Sequence, residues 1–198
     1  MAVEIAPRTY DSLYRFSVEQ YEKMIEAGIL REDDHVELID GEIVKMASRG
    51  LRHEACVRRL QLLFHELLGR AAVISTQNTV RVPPNSQPEP DLALLKWRGD
   101  MYEAERPMPE DTLLVIEVAD SSLREDRGRK RAGYARAGIP EYWIVNLQDD
   151  IIEVYSNPMG ASYNTTSLAK PGDILVLPGS LTGSIAVDDV LRTDLKSY

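Results

Sequence analysis

An α/β (α+β) protein with a mixed β-sheet flanked by helices is the fold class this chain predicts, and three observations predict it. Thr112 to Val118, Ser122 to Ala137 and Glu141 to Val145 read as strand, helix and strand. A crossover of that length suits a parallel strand pair with a right-handed connection. From Leu51 to Gly69 apolar residues recur at helical spacing, through Cys56, Leu60, Leu63 and Leu67 with Val57 and Phe64 beside them, the pattern of a helix with one buried face. Asp40-Gly41, between two short runs that read as strands, is a dipeptide that closes tight antiparallel hairpins. A chain of 198 residues can build one good core, so a single domain over 1–198 is expected.

In order along the chain, Ser17 reads as the N-cap of a helix through about Ala27, with Gly28 stopping it. His35 to Ile39 and Glu42 to Ala47 are the two strands of the Asp40-Gly41 hairpin. After the helix at 51–69, Ala72 to Thr76 and Thr79 to Val82 read as strands, followed by a Pro83-Pro84-Asn85-Ser86 loop. Two apolar runs come next, Pro90-Asp91-Leu92-Ala93-Leu94-Leu95 and Leu113-Leu114-Val115-Ile116-Glu117-Val118. Ser122 with Glu125 three residues later makes a capping-box pattern, and Gly138 and Pro140 end that helix. Ile151 to Tyr155 returns from Glu141–Val145 through Gln148-Asp149-Asp150, and short strands are expected near Leu175 and Ile185. No repeat, low-complexity tract or interdomain linker interrupts this order.

The composition narrows the function. Apolar content of 43% and charged content of 28% are ordinary for a globular protein. No run approaches the ~20 apolar residues a membrane-spanning helix needs. The first eight residues lack the pattern of a secretory signal. Cys56 stands alone, which excludes an internal disulfide and fits a cytoplasmic location. A net charge of −9 argues against a generic polyanion binder. The charge is uneven: residues 1–48 carry −6, residues 141–198 carry −5, and residues 49–140 carry +2. Ser122 to Ala137 holds six basic residues against two acidic ones, which reads either as a cationic surface near the site described next or as a solvated helix face.

Asp91 and Glu117 are the most informative pair. If their two runs pair antiparallel with Lys96 opposite Thr112, then Asp91 lies opposite Glu117. Directly opposed side chains have Cβ atoms roughly 4.5–5.5 Å apart, where like charges repel. A fold holds two anions there when a cation or a shared proton joins them. Hard carboxylate oxygens suit Mg²⁺ or Mn²⁺. Lys130, in the third turn of the helix leaving the Glu117 strand, is the nearest fixed cation for a phosphodiester hydrolase. Its spacing from Asp126 equally describes an exposed i,i+4 pair worth ~0.3–0.5 kcal/mol.

Pro90-Asp91, Ile116-Glu117-Val118-Ala119 and Ser121-Ser122 together resemble the core of the PD-(D/E)XK nuclease superfamily. Asp126-Arg127-Gly128-Arg129-Lys130 and the run from Tyr134 to Val145 resemble its bacterial Uma-type branch of restriction endonucleases. Val36 to Glu42 and His53 extend the likeness, so that it covers roughly residues 17–160. The resemblance implies a restriction-endonuclease-like fold and a Mg²⁺- or Mn²⁺-dependent endonuclease acting on nucleic acid, DNA in the first place. It implies Asp91 and Glu117 as metal ligands, with the Val118 carbonyl as a third. Ala119 stands where the superfamily often has lysine, so Lys130 is the stand-in, and Glu37 and His53 are accessory. Cutting both strands of a duplex calls for two sites, which allows a homodimer. The competing expectation, from the −9 charge and Ala119, is a nuclease-fold protein that binds nucleic acid or a protein partner without cutting. His35 and His65 have no partner at metal-ligand spacing, and Cys56, Tyr142 and Trp143 read as core.

Overall fold

A computed structural model of the chain describes residues 13–191. Its centre is a six-stranded mixed sheet in the order β3-β4-β5-β6-β7-β8, formed by Ala72–Thr76, Leu92–Lys96, Thr112–Ala119, Glu141–Asn146, Ile151–Met159 and Ser162–Ala169. All neighbours are antiparallel except β5 and β6, which are parallel as the crossover length requires. Alternation along the strands divides the core into two layers. Leu92, Leu94, Leu114, Ile116, Trp143 and Val145 face the long helix α2 (Leu51–Leu68), with the small β9–β10 hairpin (Ile174–Val176, Ser184–Ala186) and α5 (Val187–Leu191) on the same side. Ala93, Leu95, Val115, Tyr142 and Ile144 face the other side, beneath Leu123, Tyr134 and Ile139.

The smaller elements follow from local chemistry. Ser17 caps α1 (Val18–Glu26) in a reciprocal capping box with Gln20. β1 (Val36–Ile39) and β2 (Glu42–Lys45) form a separate hairpin whose turn residues Asp40 and Gly41 both have positive φ, 49° and 78°, as a two-residue turn of this type demands. A Cβ on Gly41 would sit 2.7 Å from the Arg15 Cβ and 3.0 Å from its Cα. Gly41→Ala is therefore expected to cost at least about 1–2 kcal/mol in urea unfolding, the left-handed penalty alone, with the clash added to it. A loss under 0.5 kcal/mol would show that the turn can rearrange.

Four expectations are corrected. Thr79–Val82 is not a strand: the chain doubles back at Pro83-Pro84, leaving one isolated bridge from Val82 to Ser86. β8 was not foreseen, because only Tyr163 and Ala169 of its eight residues are buried and an edge strand of that kind shows little periodicity. The 122–137 helix is broken into α3 (Leu123–Glu125), a π-turn (Asp126–Lys130) and α4 (Arg131–Arg136), with Gly128 outside helical geometry. Nor does Ser122 form a capping box; its hydroxyl donates instead to the Asp126 carboxylate at 2.6 Å. Among the described residues no helix is long and apolar enough to cross a membrane.

Candidate active site

An open cleft of about 890 Å³ lies at one end of the sheet. Residues of the β1–β2 hairpin, α2, β5, α3 and the π-turn line it, with Asp91 immediately before β4. β4 and β5 pair through Leu92–Ile116, Ala93–Val115 and Leu94–Leu114. One step beyond that ladder, Asp91 and Glu117 come together, and the Asp91 amide lies 3.4 Å from Glu117 Oε2. The predicted anchor of the register differs: a bulge after Leu94 sets Leu95, not Lys96, opposite Thr112. The bulge lies at the far end of the ladder, so it leaves the acid pair in place.

Asp91 Oδ2 accepts from the Val118 amide at 2.9 Å and contacts His53 Nε2 at 2.9 Å. His53, in the first turn of α2, is buried, and its Nδ1 has no partner among the described residues. From the other face Glu117 Oε1 accepts from Lys130 Nζ at 3.1 Å and from the Tyr134 hydroxyl at 3.0 Å. Glu37, on β1, completes the group: its Oε1 is 3.0 Å from Lys130 Nζ, and its Oε2 accepts from the Glu89 amide at 3.1 Å. All five expected site residues, Asp91, Glu117, Lys130, Glu37 and His53, thus line one cleft.

Two further residues were not foreseen as part of the site. Asp126 is 1% exposed, so the solvent-exposed Asp126–Lys130 pair is absent; the π-turn turns both side chains inward, and such turns recur at functional sites. Tyr134 follows Lys130 by four residues, and that i,i+4 spacing was the signal that could have found it.

The electrostatics follow from crowding. Burial first, then Asp126, Asp91 and Glu37, push the Glu117 carboxyl well above its ordinary range against the pull of Lys130. Asp126 is raised to about 6, mainly by burial, with Lys130 and the Ser122 hydroxyl opposing. Burial alone would favour neutral Lys130, but Glu117, Glu37 and Asp126 outweigh it and raise its pKa, keeping the ammonium charged. The Tyr134 phenol, raised by burial and by Glu117, stays protonated as a donor. Four buried carboxyl groups thus share the cleft with one lysine, and their mutual repulsion and burial favour a proton or a cation among them.

Apart from Arg124, the cationic stretch from Ser122 to Ala137 does not form a free basic surface. Arg127 binds Glu153 through two nitrogens, at 2.6 and 3.0 Å. Arg129 pairs with Glu42 at 2.7 Å and Glu125 at 2.6 Å, and Arg136 pairs with Asp40. Arg131 lies over the Tyr155 ring. Arg129 and Arg136 thereby fasten the β1–β2 hairpin, and with it Glu37, to the π-turn and α4.

The donor set fits a hard divalent cation: buried oxygen ligands with a charge deficit at one point. Among the described residues no group of three acid, histidine or cysteine side chains could hold an ion alone. Asp91, Glu117 and the Val118 carbonyl are the groups that would hold it.

Comparison with known proteins agrees with this architecture. A solved structure, described as a putative nuclease belonging to DUF820 from Anabaena variabilis, superposes with a TM-score of 0.70 at 14% identity, covering 89% of this chain and 98% of that one. No curated protein matches significantly. The family model described as "Putative restriction endonuclease" matches residues 18–188. With that match spanning most of its length, the chain belongs to the putative restriction endonuclease family.

Proposed function

We propose that the cleft is the active site of a Mg²⁺- or Mn²⁺-dependent endonuclease that hydrolyses phosphodiester bonds in DNA. The observation that carries this reading is the crowding of four buried carboxyl groups, Glu37, Asp91, Glu117 and Asp126, into one cleft with a single buried ammonium, Lys130, among them. A bound divalent ion would supply charge to a phosphoryl oxygen and lower the pKa of water. The protein's own groups do the rest. Two donors, the Val118 amide and His53, fix Asp91 Oδ2, which leaves the other oxygen free to face the cleft. Tyr134 and Lys130 set the rotamer of Glu117. Lys130 is a permanent cation here, so its role is to stabilise charge that develops on the phosphoryl group, not to accept a proton.

The test is calorimetric Mn²⁺ binding with and without a short DNA duplex, together with cleavage of the same duplex. Asp91→Asn is expected to abolish Mn²⁺ binding, and Glu117→Gln to lower cleavage by at least about 100-fold. Wild-type protein that binds no Mn²⁺ in either condition would refute the reading. One observation favours a non-cleaving nucleic-acid-binding module instead: Glu117 Oε1 already accepts from two donors. Metal-dependent cleavage that disappears in Glu117→Gln would remove that alternative.

A further inference from the structure

Five fully basic side chains line the cleft, Lys45, Arg49, Arg124, Arg129 and Lys130. Three are already neutralised: Arg49 by Glu89 at 2.9 Å, Arg129 by Glu42 and Glu125, and Lys130 by Glu37 and Glu117. Lys45 and Arg124 are exposed and have no ion pair or side-chain hydrogen bond to any described residue. They come from different elements. Lys45 ends β2, on the hairpin that carries Glu37, and Arg124 lies in α3, seven residues beyond Glu117. The acids of the cleft floor repel a polyanion, and among the described residues these two are the basic side chains of the cleft that no carboxylate neutralises. A guanidinium offers a two-pronged donor for a phosphate, and an ammonium offers a mobile point charge.

We propose that Lys45 and Arg124 are the substrate-gripping residues, each neutralising one backbone phosphate, so that the electrostatic footprint is about two phosphates and is blind to sequence. This rests on the nuclease reading of the cleft. It contrasts with proteins that cover duplex DNA through six to ten phosphate contacts, and a net charge of −9 does not favour a footprint of that size.

Salt dependence tests it directly. Anisotropy of an end-labelled DNA duplex and of one of its single strands would be followed in Ca²⁺ buffer from about 50 to 200 mM salt. Two contacts predict a slope of log K against log salt near about −1.8 for duplex and about −1.4 for single strand. Lys45→Ala and Arg124→Ala are each expected to flatten the slope by about one contact, equally for oligonucleotides of different sequence. The double variant should be nearly salt-independent. Slopes that the variants leave unchanged, or a wild-type slope steeper than about −5, would overturn the two-phosphate grip. Mn²⁺-dependent cleavage of the same oligonucleotides separates the two ideas. If wild type cleaves and both variants keep its KM and salt dependence, the grip alone is wrong. If wild type neither binds nor cleaves, the nuclease reading falls and the grip falls with it.

Discussion

Lys130→Met is expected to destabilise the metal-free protein by about 3–5 kcal/mol, the cost of removing one partner from a buried ion pair. The side chain is 9% exposed, against 6% for Glu37 and 5% for Glu117, and its ammonium touches both carboxylates at 3.0 and 3.1 Å. Methionine nearly fills the volume but supplies no charge, so Glu37, Glu117 and Asp126 would face one another uncompensated. The urea midpoint should fall with little change in m, because the same surface is exposed on unfolding. Adding Glu117→Gln to Lys130→Met should restore a substantial part of the loss, since it removes one of the stranded charges. Cleavage should fall by about 100-fold or more even where the variant remains folded, as when a preorganised charge is taken from a reacting centre. A stability loss below about 1 kcal/mol would contradict this picture.

How much of this was legible in the chain depended on what each residue answers to. Asp91 and Glu117 were legible because each is a charge bordering an apolar run, where a buried carboxyl calls for a partner. Their opposition was deduced from a register anchored on Lys96 and Thr112, which the bulge at Leu94 and Leu95 displaces. The ladder from Leu94 to Leu92 nevertheless keeps the offset that sets Asp91 against Glu117. The hairpin, α1 and α2 were legible because their caps and turns are local chemistry: Ser17 with Gln20, and Asp40 with Gly41. Lys130 was ambiguous from spacing alone. In a regular helix Asp126 and Lys130 would read as a solvent pair, and only the π-turn around Gly128 carries both into the cleft. The charge of residues 122–137 was legible as composition but not as surface. Its partners, Asp40, Glu42 and Glu153, are distant in sequence and meet it only in the folded sheet.

Metal-free protein is expected to be more stable near pH 5 than near pH 8, and the direction follows from Asp126. Its folded-state pKa of about 6 stands above the ordinary 3.8 because burial and the neighbouring acids Asp91 and Glu37 disfavour its charge. Between those two values the native state holds a proton that the unfolded chain has released, so stability falls as pH rises through this window. Above the folded pKa the penalty is complete and amounts to about 3 kcal/mol for a shift of this size; below about pH 4 it vanishes. Glu117, raised by its own burial, acts in the same direction. Exposed ion pairs such as Arg98–Asp100, with Asp100 lowered by its arginine, lose their stabilisation at low pH and oppose the trend. The difference between wild type and Asp126→Asn is therefore the quantity to measure. Thermal denaturation from pH 4.5 to 8 should show the variant gaining on wild type as pH rises, and saturating Mn²⁺ should stabilise wild type more at pH 8 than at pH 5. If the two proteins keep a constant separation across the whole range, Asp126 is ionised throughout, and the crowded carboxylates must be compensated by Lys130 alone.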